Sequence, residues 1–278
     1  MSVIELTIII LIGSYFAGLL GSLTGLGGGF IIIPLLTLLL HVDIHYAIGA
    51  SLISVIATSS GSAAAYVKEG ITNMRLGMFL EIATTAGAMT GAMLAIYTST
   101  HYIAILFGLI LISSALMSLR KKTGQITKHK SYLAEKLKLN SSYPTADGEV
   151  EYGVNNVAGG FFMMLFAGVI SGLLGIGSGA LKVLAMDSIM RIPFKVSTTT
   201  SNFMIGVTAA ASAVVYLQRG YIDPGLSMPV VIGVLLGAMS GSKILVNSTS
   251  SKWIRVVFSV VVSVLAIQMI YNGIMGKI

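Results

Sequence analysis

The chain has 278 residues, of which 55% are hydrophobic and 10% are charged, and its mean hydropathy is +0.91; soluble domains carry roughly 25% charged residues, so the composition excludes a soluble globular protein and indicates a polytopic membrane protein. The net charge of +7 does not indicate a nucleic-acid partner, because seven of the seventeen basic residues lie in one polar stretch, 120–138, as in a cytoplasmic loop of a membrane protein. The absence of cysteine excludes disulfides, thiol nucleophiles and Cys-based metal sites.

Eight apolar segments follow one another along the chain, and six of them are about one bilayer long, since a spanning helix needs roughly 20 residues. The first segment begins as a retained span, because no basic region or cleavage site of a signal peptide precedes it. The first and fifth segments are too long for one helix, and the candidate breakpoints are glycine clusters at 25–29 and 175–179. The segments lie at 3–40, 46–67, 76–97, 102–119, 157–190, 196–217, 227–246 and 253–275.

The two halves of the chain repeat each other at an offset of 150 residues. The stretch FAGLLGSLTGLGGG begins at Phe16 and FAGVISGLLGIGSG begins at Phe166, with seven of fourteen positions identical. The match continues without a gap as far as Gly91 and Gly241. A duplication is therefore predicted, with a first membrane repeat at 1–119, a solvated cytoplasmic inter-repeat loop at 120–156 and a second membrane repeat at 157–278.

The orientation of the halves depends on whether each glycine break turns the chain back. Four crossings in each half give parallel repeats and five give inverted repeats, so the predicted fold is an all-α membrane protein with about eight to ten crossings. The positive-inside rule favours the inverted arrangement with both termini outside, because it leaves chiefly Arg219 and Lys277 on the outer face. With the loop 120–156 in the cytoplasm, that arrangement also places on the inner side Lys68, Arg75, Arg191, Lys195, Lys252 and Arg255.

Paired segments interrupted by glycine, at corresponding positions of two repeats, are typical of a transporter's central site. The pieces after the breaks have about eleven residues, roughly 16 Å of helix, which is half a membrane. The free N–H groups and positive dipole end of such a helix favour an anion. Glycine pairs elsewhere, such as Gly87 with Gly91, are typical of close helix packing. The backbone predicted to face the substrate belongs to Gly27, Gly28, Gly29, Gly177, Ser178 and Gly179.

The GLGGG block that ends at Gly29, the following Pro34 and the AIGASL stretch at 47–52, with their echoes in the second half, resemble the TauE/SafE family of anion permeases, also called the toluene-sulfonate uptake permease family. The resemblance covers nearly the whole chain. It implies a cytoplasmic-membrane transporter, often an exporter, of small sulfur-containing anions such as sulfite or organosulfonates. Family members generally have Gly-Thr-Ser where this chain has Ala50 before Ser51, and the threonine is present only in the second copy.

Lys182 lies just after the second break, where the first half has Ile32. A cation inside a span is costly and needs a reason. It is either the fixed charge that neutralises a bound anion, or a side chain that snorkels to the interface or pairs with Asp187.

The run Ser-Thr-Thr-Thr-Ser-Asn at 197–202 is the densest group of hydroxyls in the chain. These side chains either cap and bond the helix backbone, or bind the oxygens of an anion. The candidates for anion binding are Thr200, Ser201 and Asn202, together with Ser51, which aligns with Ser201.

Glu81 is either a proton carrier in coupled transport or an interfacial residue near Arg75. The stretch HVDIH at 41–45 is interpreted as an interfacial polar turn, because the rest of a metal-ligand shell is missing from the sequence. No metal ion or cofactor is predicted; the expected partners are the small anion, the lipid bilayer and coupled protons.

Three classes of function remain. The first is a secondary transporter that works by alternating access around the two breaks. The second is an anion channel built on the same halves. The third, an integral-membrane enzyme, is the weakest, because the ionisable residues within the spans are few and scattered.

Overall fold

The structure is a computed structural model that describes residues 3–24, 28–68, 70–119, 131–145, 148–247 and 251–278. As predicted, it is all-α in its membrane part, and the strands it contains form one hairpin between the two halves. Two π-helical segments, Leu35–Leu39 and Ala185–Ile189, continue α2 and α8. The elements are α1 (Val3–Thr24), α2 (Gly29–Pro34), α3 (Ile44–Lys68), α4 (Met74–Tyr97), α5 (Thr100–Leu119), α6 (Tyr132–Lys136), β1 (Ser141–Thr145), β2 (Gly148–Tyr152), α7 (Val157–Leu174), α8 (Gly179–Leu184), α9 (Phe194–Gln218), α10 (Pro224–Asn247) and α11 (Ser251–Ile274).

The secondary structure repeats with the sequence. Helices α2, α3 and α4 begin and end 150 residues before α8, α9 and α10, and so do the π-helical segments. The left-handed backbone at His41 (φ 52°) also recurs, at Arg191 (φ 55°). Such a conformation is uncommon outside glycine, and its recurrence at equivalent positions agrees with the predicted duplication.

Several helices are long and apolar enough to cross a bilayer, which confirms a multi-pass membrane protein. The described part of the chain contains five such segments, at Ile4–Ser22, Met74–Tyr97, Val157–Leu174, Phe194–Gln218 and Pro224–Gly241. Shorter apolar helices lie at Gly29–Leu39, Ile44–Ser60, Thr100–Leu116 and Ser259–Ile274.

The halves are packed so that equivalent helices make equivalent contacts. Helix α1 packs against α10 as α7 packs against α4, while α3 packs against α9 and α5 against α11. A Cβ on Gly87 would lie 2.2 Å from the carbonyl oxygen of Leu165, and one on Gly237 would lie 1.9 Å from that of Tyr15. Both glycines therefore allow backbones to touch, and the predicted packing role of these glycines is confirmed.

Helices α5 and α11, which are equivalent in the repeat, run antiparallel. The end of α11 meets the start of α5, since a Cβ on Gly273 would lie 3.0 Å from the carbonyl oxygen of His101. The start of α11 meets the end of α5, where the Ser259 hydroxyl donates to the Ala115 carbonyl at 3.2 Å. The orientation of the halves in the membrane stays a prediction.

The residues between the halves include a folded unit, which we call the linker cap: residues 131–145 and 148–156. It contains α6 and the antiparallel hairpin of β1 and β2. Its residues Ala134, Leu139 and Tyr152 are buried in one hydrophobic cluster with Leu76 and Leu80 of α4. The prediction of a solvated loop therefore misses this unit, because its few apolar residues follow no helical or strand period long enough to notice.

Asn73, at the start of α4, joins the linker cap to the helices. Its side-chain nitrogen donates to the Leu139 carbonyl at 2.8 Å and to the Tyr152 hydroxyl at 2.9 Å, and its side-chain oxygen accepts from the Leu76 amide at 3.0 Å. Its own amide donates to the Thr200 hydroxyl at 3.1 Å.

Burial raises the pKa of Tyr152 above its ordinary value of 10.0.

Candidate functional site

The second glycine cluster breaks the helix as predicted. Helix α7 ends at Leu174 and is capped by Gly175, whose φ is +67°. The chain then turns through Gly177 (φ +69°) and Ser178 (φ +47°) before α8 begins at Gly179. A left-handed backbone suits glycine and strains serine, so Ser178 is held there by its surroundings.

In the first cluster, Gly25, Leu26 and Gly27 lie outside the described residues. On either side of them, α1 ends at Thr24 and α2 begins at Gly29, at the same place in the repeat as the end of α7 and the start of α8. The backbone of Gly28 is right-handed (φ −75°), whereas that of the equivalent Ser178 is left-handed (φ +47°).

The two breaks meet, and Ser51 lies where they touch. Its hydroxyl donates to the carbonyl of Gly175 at 2.9 Å. A Cβ on Gly29 would lie 2.6 Å from the Ser51 hydroxyl and 3.5 Å from the Gly175 carbonyl oxygen. The equivalent Ser201 donates to the carbonyl of Gly179 at 3.2 Å. Both serines thus hold the breaks with their protons, and their oxygens remain able to accept a hydrogen bond.

The Thr200 hydroxyl is engaged away from the breaks, where it accepts from the Asn73 amide at 3.1 Å. At Asn202 the backbone carbonyl, not the side chain, accepts from the Ser59 hydroxyl at 2.6 Å. The neighbouring Thr198 and Thr199 donate to carbonyls one turn back in α9. The structure therefore supports backbone bonding for much of this hydroxyl run, and anion binding by Thr200 and Asn202 stays a prediction.

Lys182 is fully buried, and its ammonium group points into the protein. Its Nζ donates to Oγ1 of Thr208 on α9 and lies 3.9 Å from Oε2 of Glu81 on α4. The side chain has a relative exposure of 0%, so it does not snorkel to an interface. The partner across the site is Glu81, whereas the sequence had suggested Asp187.

Glu81 is buried beside Lys182, which disagrees with an interfacial position near Arg75. Its relative exposure is 7%, whereas Arg75 is exposed at the start of α4. Its Oε1 accepts from Thr208 at 2.6 Å and from Thr85 at 3.3 Å. The Lys182, Thr208 and Glu81 side chains therefore form one polar chain, which we call the buried triad.

Sequence reasoning missed the role of Thr208. A signal was present, because Thr208 aligns with Thr58 at the offset of 150 residues. A hydroxyl kept in both copies is equally explained by a bond to its own helix, and Thr58 makes such a bond to the Ser54 carbonyl at 3.0 Å. The repeat alone therefore gave no reason to single out Thr208.

Six buried side-chain oxygens have no hydrogen-bond partner among the described residues, and three of them lie on the segments around the second break or beside Lys182. These three are the hydroxyls of Ser171 and Ser178 and Oε2 of Glu81; the others belong to Ser14, Thr72 and Ser227. The Ser178 carbonyl accepts from the Lys182 amide at 3.1 Å, so the two residues are one helical turn apart. A buried polar group without a partner costs about 1–3 kcal/mol, so these atoms are suited to receive a polar ligand.

The stretch at 41–45 forms a polar turn and packs against neighbouring helices. His45 lies 3.0 Å from Asp43 through Nδ1 and 3.1 Å from the Ala95 carbonyl through Nε2, and its ring stacks on Tyr221. Both ring nitrogens are therefore occupied by protein groups. Among the described residues, no group of three or more His, Cys, Asp or Glu is placed to hold a metal ion.

A family model described as "Sulfite exporter TauE/SafE" matches residues 10–269. The chain belongs to the TauE/SafE family. This TauE/SafE chain is 30% identical to the probable membrane transporter protein YunE of Bacillus subtilis, over 96% of the chain and 98% of the relative.

Two further relatives carry the same description. The probable membrane transporter protein YdhB of Bacillus subtilis is 26% identical, with 84% of the chain and 89% of the relative covered. A probable membrane transporter protein of Methanocaldococcus jannaschii is 23% identical, with 95% of each covered. No solved structure matches the chain. Family and relatives agree that the chain is a membrane transporter and give no indication of an enzyme.

Proposed function

We propose that the chain is a secondary transporter, working as an exporter, of small sulfur-containing anions such as sulfite or organosulfonates. The observation that carries this proposal is the fully buried ammonium of Lys182 beside the second glycine break. A buried cation is retained at a cost, and a site that must neutralise an anion provides the reason for it. The description of the matching family, a sulfite exporter, supports the same class of substrate.

The chemistry around Lys182 suits a small oxyanion. The ammonium has three donors, of which the contact with Thr208 uses one. The unpartnered hydroxyl of Ser178 lies one turn away, at the start of α8, where the first backbone N–H groups of a helix lack partners within it. Ser51 and Ser201 hold the backbone of the breaks through the hydrogen bonds that their hydroxyls donate to the carbonyls of Gly175 and Gly179. The remaining protons of the ammonium, the Ser178 hydroxyl and the free N–H groups at the start of α8 are the donors that would hold the oxygens of sulfite or a sulfonate group.

The helix directions support inverted halves and alternating access. Equivalent helices α5 and α11 run antiparallel, as expected when the axis that exchanges the halves lies in the membrane plane. The inverted arrangement requires each half to cross five times, with the pieces after the breaks forming one of the crossings. Single cysteines introduced at Arg219 and Lys252 test it with an impermeant thiol reagent. Labelling of 219 from outside and of 252 from inside is expected; the reverse pattern supports parallel halves.

Transport is tested by flux of labelled anions in proteoliposomes. Sulfite, methanesulfonate, sulfate and acetate are compared for wild type, Lys182→Met and the exposed control Lys195→Met. We expect saturable flux of one or more sulfur anions that is lost in Lys182→Met and kept in Lys195→Met. A sustained current at fixed voltage would instead indicate an anion channel. If no sulfur anion moves under any gradient, the proposed function is wrong.

A further inference from the structure

The buried triad connects the cation of the site to a carboxylate through one hydroxyl. Thr208 accepts from Lys182 and lies 2.6 Å from Oε1 of Glu81 and 2.9 Å from the Met204 carbonyl oxygen. A hydroxyl has one proton, so Thr208 donates either to Glu81 or to Met204. The second carboxylate oxygen, Oε2, lies 3.9 Å from the ammonium and has no hydrogen-bond partner among the described residues.

The charges of the buried triad balance only while no anion is bound. Lys182 contributes one positive charge and Glu81 one negative charge, and both are at least nine-tenths buried. A monovalent anion at the ammonium adds a second negative charge, and an uncompensated charge in a buried site is strongly unfavourable. Addition of one proton to the Glu81 carboxylate restores a net charge of zero. When Glu81 is a neutral acid, the site with its bound anion therefore has no net charge.

We propose that Glu81 carries the proton that is co-transported with the anion, and that Thr208 links its protonation to anion binding at Lys182. This inference rests on the proposed function. Without substrate, the carboxylate neutralises the ammonium. When the anion takes the place of the carboxylate, Glu81 accepts one proton from water on the same side of the membrane. The new acid O–H donates to Thr208, whose own proton turns to the Met204 carbonyl.

Among the described side chains, Lys182 is the charged group that faces Glu81, with its Nζ 3.9 Å from Oε2. Helix α7 contains no titratable residue. On the other elements packed against α4, the described titratable side chains are Lys195 and Tyr216 on α9, His45 and Tyr46 on α3, and Tyr132, Glu135, Lys136, Lys138, Tyr143, Glu149, Glu151 and Tyr152 in the linker cap. Asp187 lies in the second π-helical segment, which packs against α7 and α9. His45 bonds to the carbonyl of Ala95, at the opposite end of α4 from Glu81.

The test counts protons moved with methanesulfonate, a probe whose own charge does not change near neutral pH. Proteoliposomes with an internal pH dye receive an anion gradient, and labelled flux is measured in parallel. Wild type is expected to move one proton per anion, and its apparent affinity for the anion should fall as the pH rises, because each bound anion requires a bound proton. Glu81→Gln should move none and lose the pH dependence, whereas Glu81→Asp should restore both.

Glu135→Gln, which removes an exposed carboxylate of the linker cap, is the matched control. It should leave the number of protons moved per anion at one. The proposal is overturned if wild type moves methanesulfonate without protons. This measurement uses wild type alone and so does not depend on the folding of any variant. The proposal is also overturned if Glu81→Gln moves anions with an unchanged proton ratio. Failure of wild type to move any sulfur anion would instead refute the proposed function, and with it this inference.

Discussion

Removal of the Lys182 charge should destabilise the protein through the charge left behind on Glu81. In Lys182→Met the aliphatic volume is nearly kept, but the carboxylate 3.9 Å away loses its counter-charge. Loss of one partner from a buried ion pair costs about 3–5 kcal/mol. Glu81→Gln should be costly for the same reason, because it leaves a buried ammonium. The double variant carries neither charge and should cost less than either single variant, since replacement of the whole pair is often nearly neutral.

The free energy of unfolding is measured for the four proteins in dodecyl maltoside by titration with SDS, with helicity followed by circular dichroism. Lys195→Met is the control, because Lys195 is exposed and its loss should change stability by no more than about 0.5 kcal/mol. A double variant whose cost equals the sum of the two single costs would refute the ion pair, because additive effects indicate independent residues.

Three further outcomes are expected. Gly172→Ala should separate α7 from α4 and destabilise the fold, since the new Cβ would lie 1.9 Å from the Ala88 carbonyl oxygen. Gly13→Ala is the milder control, because its new Cβ would meet only a leucine side chain. Equal melting temperatures of the two variants would contradict the predicted backbone clash. Asn73→Ala should release the linker cap and speed its limited proteolysis, because about 1–3 kcal/mol is lost for each buried group left unpaired; an unchanged rate of cleavage would show that the Asn73 hydrogen bonds do not hold the linker cap. The same proteolysis should accelerate in wild type above about pH 10. The pKa of Tyr152 is raised in the folded state, so its contribution to the stability of the linker cap is complete below the unfolded value of 10.0 and is lost as the pH rises through the folded value. Tyr152→Phe should lack this pH dependence.

The parts of the fold that follow from length and repetition could be predicted from the sequence. A segment from residue 3 to 40 exceeds a bilayer, so a break was required, and the glycines at 25–29 and 175–179 were the places where a helix is weakest. The offset of 150 residues then fixed which helices are equivalent. These arguments use only the local composition and the spacing of the two repeats, both of which can be read directly from the sequence.

The partner of Lys182 could not be predicted, because Glu81 lies on the other repeat and no period connects the two residues. Sequence neighbours instead suggested Asp187, only five residues away. The pairing depends on the packing of both α4 and α8 against α9, which is a tertiary property. The linker cap was missed for a related reason, since its hairpin is stabilised by Asn73 and by apolar residues of α4 rather than by a pattern of its own.

Sulfite counterflow in proteoliposomes tests the central claim most directly, with wild type compared to the Lys182→Met, Glu81→Gln double variant. The double variant is the suitable comparison because it is expected to fold while lacking the cation of the site. The proposed mechanism predicts saturable accumulation of labelled sulfite by wild type and none above the liposome background by the double variant. Equal accumulation by the two proteins, or none by either, would contradict a sulfur-anion site at Lys182.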